Sequence, residues 1–193
     1  MASPPAEAFA SSTIVVLVAD LDGYAKAFRI RTDVEMARFL DRYYRVAEDI
    51  IHEAGGQIVK FIGDSVLAAF PEHGGPQAVS AAVTLRSAVE QLGQQAGIPV
   101  RLGVNVHLGP AVDAELGQAP SRRRDVVGRT VNQAFLLGRG PGIRISEPVY
   151  RKLPSGERTP WSKNKPPAVY VLGEGGEVLT GLRKSATENA IRW

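Results

Sequence analysis

The sequence predicts an α+β protein in which helices pack on one mostly antiparallel sheet. Residues 13–19 form an uninterrupted, β-branched apolar run, which is typical of a strand covered on both faces. Apolar residues recur at helical spacing through residues 33–54, and Gly55 follows as a helix stop. Two shorter apolar runs, 58–62 and 66–70, flank a Gly-Asp pair as the strands of a hairpin flank their turn.

The rest of the chain supplies the remaining elements of this fold. The further predicted elements are an Ala-rich helix over residues 76–92, an alternating strand over 101–108, a short helix over 127–137, and strands at 143–145, 161–163 and 168–172. Strand, helix, hairpin, helix and strand, in this order, fit a split-βαβ or ferredoxin-like sandwich. Because one fold serves many functions, the side chains must indicate the activity.

Composition and charge narrow the classes to which the protein can belong. The 193 residues are 44% hydrophobic and 22% charged, as in ordinary globular domains, and the net charge is +3. This net charge is too small to predict nucleic-acid binding. The densest basic run, 122–124, also has no aromatic residues between its arginines. No apolar run approaches the roughly 20 residues of a membrane helix. The start of the chain does not read as a signal peptide, and the absence of cysteine favours a cytoplasmic protein.

The composition also predicts how the chain is divided. We expect residues 1–12, which are rich in Ala, Ser and Pro, to be a flexible leader. Residues 13–172 hold all the periodic elements and form one domain. Residues 173–193 are polar and lack a clear period, so they are either a tail or a short docking segment.

Two aspartates stand where a metal site is expected. Asp20 directly follows the first buried strand, and Asp64 lies at the tip of the hairpin. Core packing requires both elements in one sheet, which can bring the carboxylates together as a hard-oxygen site for Mg²⁺ or Mn²⁺. Phosphoryl transfer needs such a site. Each aspartate also fits a simpler role: Asp20 as a helix cap, Asp64 as a turn residue, and Asp22 as an alternative cap or an outer acid.

The two aspartates belong to a longer series of motifs. They lie in ADLDGYAKAF (19–28) and GGQIVKFIGDSVLAAF (55–70), and RLGVNVHLGPAV (101–112), RDVVGRTVNQAFLL (124–137) and IRISEPVYRKL (143–153) follow. In this order, from about Thr13 to Leu172, they resemble the catalytic domain of class III adenylate and guanylate cyclases. The second segment is the most specific, because it is similar to the family's G-G-x-x-x-K-x-x-G-D pattern.

The resemblance implies a role for each matched position. Asp20 and Asp64 would bind two Mg²⁺ or Mn²⁺ ions, and the carbonyl of Leu21 would assist. The backbone groups expected to face the phosphates belong to Leu21, Asp22, Gly23 and Tyr24. A glycine before a helix favours such an approach.

The resemblance also implies which side chains hold the nucleotide. Lys60 and Asp125 match the base-selecting pair, and a donor and an acceptor on opposite sides of a base can read adenine's ring nitrogen and amine. Asn132 matches the asparagine that orients the ribose, and it would come from the partner chain. Lys163 matches the triphosphate lysine, with Lys165 as the other candidate.

One position departs from the family pattern. Leu136 occupies the place, four residues after Asn132, where the family has a transition-state arginine. An arginine there would share the helix face of Asn132 and stabilise phosphate charge, an effect of about 10² to 10³ in rate. Two arginines are candidates to replace it: Arg139, which is one turn further on, and Arg129, which precedes Asn132. The departure leaves both turnover and base choice open.

The sequence therefore predicts an enzyme that converts ATP to 3′,5′-cyclic AMP and pyrophosphate in a homodimer with two shared active sites. Two alternatives stay open: a cyclase that uses UTP, CTP or GTP, and a weakly active nucleotide-binding or dimerisation module. The polar segment 112–124 is expected either as an arm that reaches over the partner or as a surface loop. No nucleic-acid or membrane partner is expected.

Overall fold

The computed structural model of the protein describes residues 9–164 and 168–172. Its strands are β1 (Ser11–Asp22), β2 (Gln57–Ile62), β3 (Ser65–Pro71), β4 (Arg101–Leu116), β5 (Arg123–Val127), β6 (Gly142–Ser146), β7 (Ser162–Asn164) and β8 (Val169–Leu172). Its helices are α1 (Tyr24–Ala27), α2 (Asp33–Glu53), α3 (Gly75–Ala96), α4 (Arg129–Leu136) and α5 (Glu147–Lys152), with a 3₁₀ turn at Ser155–Glu157. None of the helices in these residues has the length and apolarity needed to cross a bilayer.

The strands form one sheet in the order β2-β3-β1-β4-β6-β8-β7, and β5 pairs with β4 outside this path. Among the described strands, β4 and β6 run parallel and the other pairs are antiparallel. The predicted α+β fold with a mostly antiparallel sheet is therefore confirmed. The sheet is central, and helices pack on both of its faces.

Successive side chains of β1 point to opposite faces of the sheet, and both faces are covered by helices. Val15 and Leu17 belong to the main core, which also contains the buried residues of α2 and α3. Val16 and Val18 point the other way and pack against Ala134 of α4. The first apolar run thus forms a strand buried on both faces, as its uninterrupted hydrophobicity predicts.

Helix α2 has clear start and stop signals. Thr32 and Glu35 form a capping box, in which the Glu35 N–H donates to Thr32 Oγ1 at 3.3 Å and the Thr32 N–H donates to Glu35 Oε2 at 2.8 Å. The helix ends just before Gly55, whose φ of 79° is left-handed. Its buried face, which includes Tyr43, lies against the sheet in the main core.

Several predicted boundaries require correction. β1 does not end at residue 19 but continues to Asp22, because β4 pairs with its last residues and β3 pairs with it up to Asp20. Two residues of the expected leader, Ser11 and Ser12, lie in the same strand. Residues 1–8 and 173–193 are outside the described part of the chain.

The segment 112–124 is neither a free arm nor a loop along its whole length. β4 continues to Leu116 and returns through a turn into β5, so the segment is largely a hairpin. Val126 of β5 is buried with Ala69 and Ala111, which anchors this hairpin to the sheet. As a result, α4 begins at Arg129 rather than at residue 127.

Candidate active site

Asp20 lies inside β1, where buried strand residues give way to an exposed one. Its neighbours Ala19 and Leu21 are buried, whereas Asp20 is exposed. Asp20 pairs with Ser65 of β3, and the Ser65 hydroxyl donates a hydrogen bond to Asp20 Oδ1. Ser65 therefore fixes the carboxylate's orientation. Sequence reasoning missed this role, although Ser65 directly follows Asp64.

Asp64 lies in the β2–β3 turn, next to Gly63 with its left-handed φ of 59°. Partial burial, followed by the negative charge of Asp20, raises the pKa of the Asp64 carboxyl. The two predicted metal aspartates are therefore brought together, close enough for the charge of Asp20 to disfavour ionisation of Asp64. A bound cation would remove this repulsion, so the pair fits the divalent ions expected from the sequence.

The remaining ligands of such an ion must come from elsewhere. Within residues 9–164 and 168–172, no three His, Asp or Glu side chains cluster so as to hold a metal ion. Two carboxylates leave most of an octahedral shell to water and to ligand oxygens. This open coordination suits a site where a polyphosphate binds along with the metal.

Tyr44 supports the hairpin from α2. Its hydroxyl donates to the Gly63 carbonyl at 2.5 Å, and its ring stacks on Phe61 at 3.8 Å between centroids. These contacts fix the turn that carries Asp64 relative to the helix layer. Sequence reasoning missed Tyr44 because its partner is a backbone carbonyl from a distant turn.

The segment after Asp20 packs tightly against the start of β4. Gly23 has a φ of 92°, and a Cβ at this position would lie 2.8 Å from the Pro99 carbonyl oxygen. Glycine is therefore required here both for its conformation and for space. Asp22 pairs with Arg101 at 3.7 Å, which favours an outer role over direct metal binding. Tyr24 opens α1, a helix of only four residues.

Lys60 and Asp125, the predicted base-selecting residues, contact each other. Lys60 Nζ on β2 lies 2.6 Å from Asp125 Oδ2 on β5, and the Val126 N–H donates to Asp125 Oδ1 at 2.8 Å. The side chains are 41% and 26% exposed, so the pair stays accessible to a ligand. In this structure they present a donor and an acceptor side by side. The expectation that they flank a base on opposite sides stays a prediction, and it requires the base to displace one side chain from the other.

The chain matches the adenylate and guanylate cyclase catalytic domain over residues 7–178. It belongs to this cyclase family.

An adenylate cyclase of Anabaena cylindrica is 30% identical to it over an alignment of 162 residues, and the match covers 76% of this chain and 32% of that protein. A uridylate cyclase of Burkholderia cepacia is 29% identical over an alignment of 148 residues, and the match covers 72% of this chain and 65% of that protein. The crystal structure of the guanylyl cyclase Cya2 shares the fold, with a TM-score of 0.75 and 21% identity over 89% of this chain and 98% of that one. The chain spans 32 to 33% of the length of the adenylate cyclases it matches.

Helix α4 of this cyclase domain carries Asn132 and Leu136 on one exposed face, four residues apart. Leu136 is 81% exposed. On the buried side, Ala134 packs into the sheet, and the Thr130 hydroxyl donates to the Pro110 carbonyl at 2.7 Å. These contacts attach α4 to the sheet. Leu136 is exposed to solvent at the position where the family resemblance implies an arginine.

The two arginines considered as replacements differ in position from Leu136. α4 ends at Leu136, so Arg139 is not one helical turn further along the same face, contrary to expectation. Its carbonyl instead accepts a hydrogen bond from Arg144 at 2.6 Å. Arg129 is the first residue of α4 and is exposed.

Lys163 lies far from the aspartates of its own chain. It is exposed on β7, the edge strand, four strands away from Asp20 on β1. Neighbouring strands are about 4.8 Å apart, so the separation across the sheet is roughly 20 Å. The structure does not bring this lysine to the Asp20–Asp64 pair of the same chain. Lys165, the alternative, is outside the described residues.

Proposed function

We propose that this cyclase domain converts ATP to 3′,5′-cyclic AMP and pyrophosphate. The observation that carries the proposal is that one hairpin, β2–β3, holds Asp64 at its turn and Lys60 on its first strand. Lys60 is paired with Asp125, so a metal-binding carboxylate and a donor–acceptor pair for a base belong to one supported element.

The reaction joins two groups of the same nucleotide. The ribose 3′-oxygen attacks the α-phosphorus, the bond from that phosphorus to the bridging oxygen breaks, and pyrophosphate leaves with the electron pair. The hydroxyl proton passes to solvent. Divalent ions, when bound, lower the pKa of the hydroxyl and neutralise the polyphosphate charge.

The side chains of this chain position the reactants. Asp20 and Asp64 would supply anionic oxygens for the cations, and the Ser65 hydroxyl holds the Asp20 carboxylate by a hydrogen bond. The backbone from Leu21 through Tyr24, which Gly23 allows to lie close to Pro99, would face the phosphates. Lys60 donates to the adenine ring nitrogen, and Asp125 accepts from the exocyclic amine.

The shared site requires a second copy of the chain. Lys163 is roughly 20 Å from Asp20 across the sheet, and Asn132 and Leu136 face outward on α4. Around them are exposed apolar side chains, Val127 at 53% and Phe135 at 40%, which favour a protein contact. We therefore place Asn132 and Lys163 opposite the partner's aspartates, in an isologous homodimer with two equivalent sites.

A direct experiment tests the activity. The purified protein is incubated with ATP, GTP, CTP and UTP in turn, with Mn²⁺ or Mg²⁺, and the products are identified by mass. Cyclic AMP as the main product, absent in Asp64→Asn, supports the proposal. No cyclic product from any of the four nucleotides would overturn it.

A second base choice has specific support. Leu136 replaces the arginine of the family pattern, and one relative is a uridylate cyclase. Cyclic UMP as the main product in the same experiment would establish a pyrimidine cyclase instead. It would show that the Lys60–Asp125 pair reads a different base.

A further inference from the structure

β5 has no strand pairing with β2, although Asp125 of β5 must meet Lys60 of β2. Among the described strands, β5 pairs with β4 and β2 pairs with β3. The position of β5 over β2 therefore depends on side chains. Apart from the Lys60–Asp125 pair, Arg124 provides a side-chain bridge between these two strands.

Arg124 uses its whole guanidinium for this bridge. Its Nε and Nη2 donate to Asp113 Oδ1 and Oδ2 at 2.8 and 2.6 Å, a bidentate pair within the β4–β5 hairpin. Its Nη1 donates to Gln57 Oε1 of β2 at 2.5 Å. One side chain thus ties three strands together. The hydrogen bonds from Arg124 lower the pKa of the Asp113 carboxyl and keep the pair charged at neutral pH.

Arg124 and Asp125, which are neighbours on β5, contact different residues of β2. Successive side chains of a strand point to opposite faces, yet Arg124 reaches Gln57 and Asp125 reaches Lys60. Polar side chains of β5 therefore contact β2 at two points along its length, Gln57 and Lys60. Losing the Arg124 contact would remove one of these links, while β5 stays paired with β4 and Val126 stays in the apolar cluster that includes Val59 of β2.

We infer that Arg124 is a positioning residue for base selection, which holds β5 against β2 and so fixes the Asp125 carboxylate beside Lys60. The inference rests on the proposed function. Arg124 acts through Asp125, so its loss should change which nucleotide is preferred more than it changes turnover. Val126 stays buried with Ala69 and Ala111, so the hairpin should remain folded without it.

The test is a double-mutant cycle. In Arg124→Ala, the ratio of kcat/KM for ATP over GTP should fall about fivefold or more, because a charge-assisted network is lost. In an Asp125→Ala background, the same change should alter that ratio by less than about twofold. Arg124→Lys should recover only part of the ratio, since a lysine cannot form the bidentate pair.

Arg151→Ala is the matched control. Arg151 forms a similar pair with Glu147 on α5, at 2.6 Å, away from the candidate site. This variant should keep the wild-type ratio. A wild-type ratio in Arg124→Ala would overturn the inference. If Arg124→Ala lowers the ATP-over-GTP ratio equally in the wild type and in the Asp125→Ala background, the inference is also overturned. That result would indicate direct contact between Arg124 and the nucleotide.

A measurement without nucleotide separates this inference from the proposed function. Hydrogen exchange of the β5 amides should be about tenfold faster in Arg124→Ala than in the wild type, and unchanged in Arg151→Ala. Unchanged exchange in Arg124→Ala would overturn the positioning role even in an active cyclase. If the wild type produces no cyclic nucleotide, the proposed function fails, and faster exchange still supports the structural part of the inference.

Discussion

Lys60 and Asp125 are 65 residues apart in the sequence, and their side chains meet at 2.6 Å between Nζ and Oδ2. A base must therefore read them side by side or displace one from the other. Because a ligand must replace this contact with its own hydrogen bonds, an unmatched base leaves a charged group without its partner.

Exchanging this pair should change the substrate. In Lys60→Glu/Asp125→Cys, kcat/KM for ATP should fall at least about tenfold, because each unpaired group costs about 1–3 kcal/mol. Competition among the four nucleotides, with products separated by mass, measures the change. Unchanged preference for ATP in the double variant would show that other residues select the base.

Removing one carboxylate should abolish activity without weakening the fold. Asp64→Asn should form no cyclic product, and Asp20→Asn should behave alike, because an amide cannot replace the anionic metal ligand. The folded-state pKa of Asp64 lies above its ordinary value, so its ionised form costs stability at neutral pH. In metal-free buffer the Tm of Asp64→Asn should therefore equal or exceed that of the wild type.

Thermal unfolding also checks metal binding without an activity assay. Mn²⁺ should raise the Tm of the wild type and leave that of Asp64→Asn almost unchanged. An equal rise in both proteins would place the ion elsewhere.

Leu136→Arg should raise kcat. An arginine beside Asn132 would stabilise charge on the phosphates, an effect of about tenfold or more when such a cation is well placed. Leu136→Gln provides the control, since it places a polar side chain at the same position without the charge. If Leu136→Arg lowers kcat and Arg129→Ala is nearly inactive, the chain already uses another arginine.

Acid should weaken the packing of α4 through His107. Its Nε2 lies 2.8 Å from Gln133 Oε1, and its Nδ1 is buried without a partner among the described residues. Burial lowers the pKa of the His107 imidazole. The unfolded state then binds the proton more readily, so stability falls as the pH drops below about 6.5.

Urea unfolding at pH 7.5 and pH 5.5 measures this loss. The difference between the two pH values should be smaller in His107→Gln than in the wild type. The exposed His52 and His73 serve as controls, and their replacement by Gln should leave the difference unchanged. An identical pH dependence in His107→Gln would assign the acid sensitivity to other groups.

Mixing two inactive variants should restore activity if the site is shared. Asp64→Ala and Asn132→Ala homodimers each lack an essential group in both sites. A mixed dimer collects both changes in one site and leaves the other intact, so activity should return to at most about half per dimer. Activity that declines on dilution would match dissociation of the dimer. A mixture that stays inactive although heterodimers form would exclude this arrangement.

The sequence by itself determined the fold class and the elements that carry Asp20 and Asp64. The apolar run of β1, the periodicity of α2 and the Gly-Asp turn are local patterns, and each specifies an element without knowledge of its neighbours. The order of the matched motifs also indicated the family. These features could be predicted because the information lies within short stretches of chain.

Only the tertiary structure decided the strand bounds and the side-chain contacts that depend on residues distant in the sequence. Pairing with two neighbours carried β1 past its apolar run to Asp22, and the burial of Val126 made a hairpin of a segment that looked polar and free. Ser65, Tyr44 and Arg124 contact partners that are remote in sequence: Asp20, Gly63 and Gln57. Side-chain bridges across strands leave no periodic signal, since their energy comes from geometry that exists only after the sheet has formed.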